Sequence, residues 1–115
     1  MSADGCLFCA ILRGDIPADV VHRADGFLAF RDITPKAPVH VLVIPERHVA
    51  SLDEVGGLTA DERSAMLVFI AEVARREGLV DDGYRVTTNH GPNAQQSVFH
   101  LHWHVMGGAT LSHSM

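Results

Sequence analysis

Three histidines stand at alternate positions in the segment His100-Leu101-His102-Trp103-His104-Val105-Met106. In an extended strand residues two apart share a face, so the three imidazoles and Met106 line one side. Leu101, Trp103 and Val105 line the other and suit burial, which leaves the imidazole side as an open face. Imidazole is a nucleophile, a general base and a metal ligand near neutral pH. A polar sheet face that carries histidine by chance accounts poorly for three in strict alternation. A single metal held by all three is a poor fit, because the outer pair lies about 13.6 Å apart along a strand while zinc bonds run about 2.0 Å. Two of the three could share an ion. In the third chemistry one imidazole attacks an electrophile while its neighbours orient it and bind the substrate.

A second constellation is Cys6-Leu7-Phe8-Cys9, the only two cysteines of the chain. Cys-x-x-Cys is half of a tetrahedral metal site, a redox pair, or two inert thiols. With no secretory signal in view, a structural disulfide is not expected.

The elements that position these residues follow from local pattern. Cys6 to Arg13 suits a short helix ended by Gly14. Val20 to His22 and Phe27 to Arg31 read as strands joined by a turn at Ala24-Asp25-Gly26, and Asp32 to Pro38 as a loop. Val39 to Pro45 is a β-branched central strand closed by proline. Thr59-Ala60-Asp61-Glu62 is a capping-box signature opening a helix to about Glu77, with Met66, Leu67, Ile70, Val73 and Ala74 on its packing face. Tyr84 to Asn89 and Val98 to Met106 complete five strands around a Gly-Pro-Asn loop. The expected architecture is α+β, with a mostly antiparallel sheet, one long helix and one short helix.

At 115 residues and 47% hydrophobic, the chain suits a single domain over 1–115 with a real core. Nine basic residues against fourteen acidic give a net charge of −5, and lysine or arginine cluster only at Arg75-Arg76. Polymeric nucleic acid needs a basic footprint, so that class of partner is not expected. Any phosphate must be met by backbone N–H groups, amides and imidazoles. No apolar run is long enough for a bilayer, and Met1 to Gly5 is unlike a signal peptide, so a cytoplasmic address is expected.

The triad segment resembles the His-φ-His-φ-His-φ-φ motif of the histidine-triad (HIT) superfamily. Gln96-Ser97-Val98-Phe99 and Gly107-Gly108 around it are similar to the Hint-like branch of purine nucleoside phosphoramidases. Gly14 to Ala18, Leu28 to Ile33, Pro35 to His40 and Val43 to Pro45 resemble segments of that branch in the same order, so the likeness runs from Cys6 to Gly108. The resemblance implies that His102 is the nucleophile at an α-phosphorus and that His40 stands behind it. Asn89, Gln96, Ser97 and His104 then fall at phosphate-side positions, with Ser97 helping to protonate the leaving group. Phe8, Ile11, Ile16, Phe30 and Ile33 match positions that sandwich a purine, although their pattern alone reads as ordinary core. Asp32 matches the carboxylate that accepts both ribose hydroxyls, for which its two oxygens are suited.

The resemblance further implies that His48 and His100 complete a structural Cys2His2 zinc site with Cys6 and Cys9. It implies a homodimer through the long helix and the strand before the triad, with one continuous sheet. His22 is expected to be exposed, His90 to be a solvated loop residue, and His113 to lie in a frayed tail. The tail, Ala109 to Met115, departs from the longer tails of the branch, which reach across the dimer. Two other readings remain at this level: hydrolysis of dinucleoside polyphosphates, and a nucleotide-binding scaffold with vestigial activity.

Overall fold

A computed structural model describes residues 5–113 of the chain. Its frame is set by two strands that are apolar on both faces, β2 (Phe27–Arg31) and β3 (Val39–Pro45). Such strands must be covered on both sides. The long helix α2 (Ala60–Arg76) covers one face, packing Met66, Phe69, Ile70 and Val73 on Phe27, Ala29, Val41 and Val43. The short helix α1 (Leu7–Arg13) covers the other, where Cys6, Phe8 and Cys9 meet Leu28, Phe30, Leu42 and Ile44. The sheet is completed by β1 (Val20–Ala24), β4 (Tyr84–Thr87) and β5 (Trp103–Gly107), in the order β1-β2-β3-β5-β4. All its pairings are antiparallel. The α+β expectation holds.

Local chemistry accounts for the boundaries. Asp25 and Gly26 both take positive φ, 56° and 88°, which the tight two-residue turn between β1 and β2 requires. Thr59 and Glu62 cap each other's backbone at the start of α2, as the sequence signature predicts. Gly14 closes α1 in the left-handed conformation.

Five expectations need correction. β5 begins at Trp103, not Val98, because the Leu101 N–H turns aside to the Val49 carbonyl at 2.7 Å. The backbone still alternates through that segment, with Leu101 buried in the α2-side core, but the imidazole face is not open. His100 is fully buried and His102 is 8% exposed. β4 stops at Thr87, since the Thr88 hydroxyl donates to the His102 carbonyl at 2.7 Å rather than leaving the backbone to extend the ladder. On α2, Phe69 takes the core position expected of Leu67, which is 61% exposed beside Val68. His22 is half-buried, stacked on Phe69 with ring centroids 5.3 Å apart.

Within the described residues the chain beyond β5 is tied to β4 by Arg85 donating to the Ser112 carbonyl at 2.6 Å. His113 beside it is exposed. Two 3-10 turns, Leu52–Gly57 and Pro92–Ala94, bridge the larger elements. Among the described residues no helix is long and apolar enough to cross a membrane.

Phe69 joins α2 to β2 and supports His22. Its truncation to alanine is expected to lower the unfolding free energy by about 3–5 kcal/mol. Denaturant titration checks this, and a loss below about 1 kcal/mol would contradict the packing described.

Candidate active site and metal centre

Between α1, the β2–β3 loop and the β4–β5 loop lies a cleft of about 920 Å³. Phe8, Ile11, Phe30, Asp32, Ile33, His40, Asn89, Gln96, Ser97, His102 and His104 all stand in its wall, each singled out in the sequence. Ile16 does not: it is 38% exposed, outside the cleft wall, beyond the αL turn at Gly14. Phe8 packs edge-on against both Phe30 and the His102 ring, so the apolar end of the cleft abuts its imidazole end.

Hydrogen bonds fix the tautomers of the cleft histidines. A carbonyl can only accept, so the 2.8 Å contact from His102 Nδ1 to the His100 carbonyl places a proton on Nδ1. Among the described residues nothing occupies the Nε2 lone pair of His102. Burial lowers the pKa of His102 from its ordinary value, outweighing the opposite pulls of the carbonyl bond and of Asp32. The ring is therefore neutral near pH 7.

His40 and His104 form a second relay. The Lys36 N–H donates to His40 Nδ1 at 3.1 Å, so His40 carries its proton on Nε2. That nitrogen faces His104 Nδ1 at 2.9 Å and the Asp32 carboxylate at 3.4 Å. His104 accepts on Nδ1 and holds its own proton on Nε2, a neutral donor for an anion in the cleft. Burial and the neighbouring His102 and His40 push the pKa of His104 down to about 4, and burial also lowers that of His40. Asp32, His40 and His104 are close enough to invite an ion. The 2.9 Å contact is shorter than the roughly 3.3 Å edge between two nitrogens on tetrahedral zinc, and a hydrogen bond explains it better.

The loop carrying Asn89, Gln96 and Ser97 is braced from behind. Gln96 accepts from the Gly91 N–H and donates to the Ala50 and Val98 carbonyls, so both hydrogens of its amide are taken. The side chain thus braces the loop from behind while the residue stays in the cleft wall. His90, exposed as expected, is tied to the buried Ser51 hydroxyl at 2.7 Å. Ser97 is exposed at the cleft wall. Thr88, which fixes the His102 carbonyl, and Lys36, which fixes His40, carried no sequence signal.

Behind the nucleophile candidate, Cys6, Cys9, His48 and His100 bring four donor atoms within 4.8 Å of one another. Bond lengths of about 2.3 Å to sulfur and about 2.0–2.1 Å to nitrogen imply tetrahedral edges of about 3.3 Å for nitrogen pairs and about 3.6 Å for nitrogen–sulfur. The two Nδ1 atoms are 3.2 Å apart, and the sulfur of Cys9 lies 3.4–3.5 Å from both, with the Cys6 sulfur 3.5 Å from the His100 Nδ1. The donors fit zinc. His100 Nε2 donates to the Pro45 carbonyl at 2.8 Å, which leaves Nδ1 unprotonated and aimed at the cluster. Burial, aided by the neighbouring His48 and His102 and opposed by that bond, lowers its pKa to about 4. Burial, with Cys6 beside it, pushes the Cys9 thiol up to about 11. A redox cysteine needs the opposite shift, so the redox reading loses ground to a site in which a dication makes the thiolate. Both cysteines are free.

The HIT domain family model matches residues 13–111. The purine nucleoside phosphoramidase of Escherichia coli K12 is 37% identical over 109 residues, covering 95% of this chain and 92% of its own. A 14 kDa zinc-binding protein of Zea mays is 43% identical over 112 residues, covering 92% and 84%. A HIT family hydrolase from Clostridium thermocellum superposes with a TM-score of 0.89 at 36% identity, covering 96% of each chain.

If the cluster holds its metal as described, purified protein contains about one zinc per chain by elemental analysis. Cys9→Ser is expected to lose that zinc and to melt at a lower temperature. Stoichiometric zinc in Cys9→Ser would contradict the ligand assignment.

Proposed function

The chain belongs to the HIT domain family, and on that footing we propose that it is a purine nucleoside phosphoramidase that passes through a nucleotidyl-histidine intermediate. The observation that carries the reading is the free Nε2 lone pair of His102, set by the bond to the His100 carbonyl in the wall of a nucleotide-sized cleft. In this reading the purine lies between Phe8, Ile11, Phe30 and Ile33, and the ribose hydroxyls reach Asp32. His102 Nε2 attacks the α-phosphorus; the bond to the imidazole forms as the bond to the amine breaks. The His104 Nε2–H and Asn89 stabilise the charge on the phosphoryl oxygens. The amine departs with a proton relayed through the solvent-facing Ser97 hydroxyl. Water then attacks the phosphorus, releasing the nucleoside monophosphate and restoring His102. The similarity to the Escherichia coli phosphoramidase supports the choice of leaving group.

Zinc, when bound by Cys6, Cys9, His48 and His100, supplies a fixed tetrahedral anchor rather than reaction chemistry, because all four positions are taken by protein. The protein acts as one domain across its length and as a homodimer. Support for the dimer comes from Leu67 and Val68 exposed on α2 and from β4 as an unpaired sheet edge.

His102→Asn is expected to reduce turnover of an AMP-amine substrate by on the order of a thousandfold or more while AMP still binds. Turnover near the wild-type rate would remove His102 as nucleophile. The dimer is checked by light scattering: the wild type is expected at twice the chain mass, and Leu67→Glu with Val68→Glu at the mass of one chain. A monomeric wild type would overturn it.

A further inference from the structure

The nucleotide reading leaves a charge problem. The chain carries −5 overall, and Asp32 adds an anion to the wall of the cleft that must receive a phosphate. The His40–His104 pair does not offset this: each ring accepts a hydrogen bond on Nδ1 and so carries one proton and no charge.

The basic residues are almost all committed elsewhere. Of the nine, eight are arginines, each engaged by a carboxylate or a main-chain carbonyl. Arg31 illustrates the point: it borders the cleft, but its guanidinium is held by both oxygens of Glu77 at 2.7 and 3.3 Å. The ninth is Lys36, the single lysine of the chain. It lines the cleft, and its backbone N–H is fixed on His40 Nδ1, which anchors the residue beside the His40–His104 relay. Its ammonium has no hydrogen bond or ion pair among the described residues.

We propose that Lys36 is the cationic recognition group of this cleft, drawing in and holding the phosphate of the nucleotide. It rests on the nucleotide reading and adds to it the source of positive charge. A flexible ammonium at an exposed wall acts as a point charge rather than as a rigid fork, so it favours anionic ligands without dictating their orientation. Its contribution is long-ranged and sensitive to salt. The relay does not depend on the ammonium, since the bond to His40 comes from the backbone N–H.

The test compares AMP with adenosine, which lacks the phosphate, by calorimetric titration of the full chain at low and high salt. Wild type, Lys36→Gln and Lys36→Arg are each titrated, and their unfolding temperatures are measured alongside. Lys36→Gln is expected to weaken AMP binding about threefold to tenfold at low salt, as for one exposed charge pair. Adenosine affinity should stay level, Lys36→Arg should keep most of the AMP affinity, and the difference should shrink at high salt. In turnover of an AMP-amine the loss should fall on KM. Equal weakening of AMP and adenosine, or unchanged AMP affinity in Lys36→Gln, would overturn the assignment. Wild-type protein that binds adenosine and AMP equally would overturn it and leave the nucleoside site standing. Wild-type protein that binds neither would instead remove the nucleotide reading on which it rests.

Discussion

The hydrogen bond from His102 Nδ1 to the His100 carbonyl is the contact on which the site turns. It sets which nitrogen of His102 holds the proton, and therefore which one faces chemistry. His100 is itself held at both ends, by its Nε2–H on the Pro45 carbonyl and by Nδ1 in the Cys6-Cys9-His48 cluster. A tautomer costs little to change in water, but here the carbonyl that selects it is fixed by a fully buried ring. The metal cluster and the nucleophile candidate are therefore successive parts of one support rather than separate sites.

The same economy extends outward. The Val49 carbonyl takes the Leu101 N–H, and Ala50 and Ser51 brace Gln96 and His90. The short stretch after β3 thus holds His48 for the cluster, the backbone before His102, and the loop that brings Asn89 and Ser97 to the cleft. Sheet pairing alone could not do this, because β4 and β5 both stop short of those residues. Side-chain and main-chain bonds from irregular backbone take over where the ladder ends.

Much of the fold was legible because its signals are local: the capping box at Thr59, the left-handed stop at Gly14, and strands β2 and β3 that read as continuous apolar runs. The α2 register is ambiguous at Leu67 because Leu67 and Phe69 are both apolar, and only the sheet beneath decides which faces it. The start of β5 is not legible from alternation, which survives in extended chain that is not paired into a sheet. At the site, residue types recovered the imidazoles and the cysteines. The bracing of Gln96 by the Ala50 carbonyl, 46 residues away, is not something that spacing along the chain encodes. The bonds of Thr88 and Lys36 are hidden for the same reason: a hydroxyl meets the His102 carbonyl, and a main-chain N–H meets the His40 ring.

The most direct measurement is long-range proton–nitrogen NMR of the histidine rings in the zinc-loaded protein at pH 7, which reads tautomer and charge ring by ring. The result expected is a neutral His102 protonated at Nδ1, with neutral His104 protonated at Nε2. A charged His102, or one protonated at Nε2, would contradict the claim that the His100 carbonyl holds a free nucleophilic nitrogen toward the cleft.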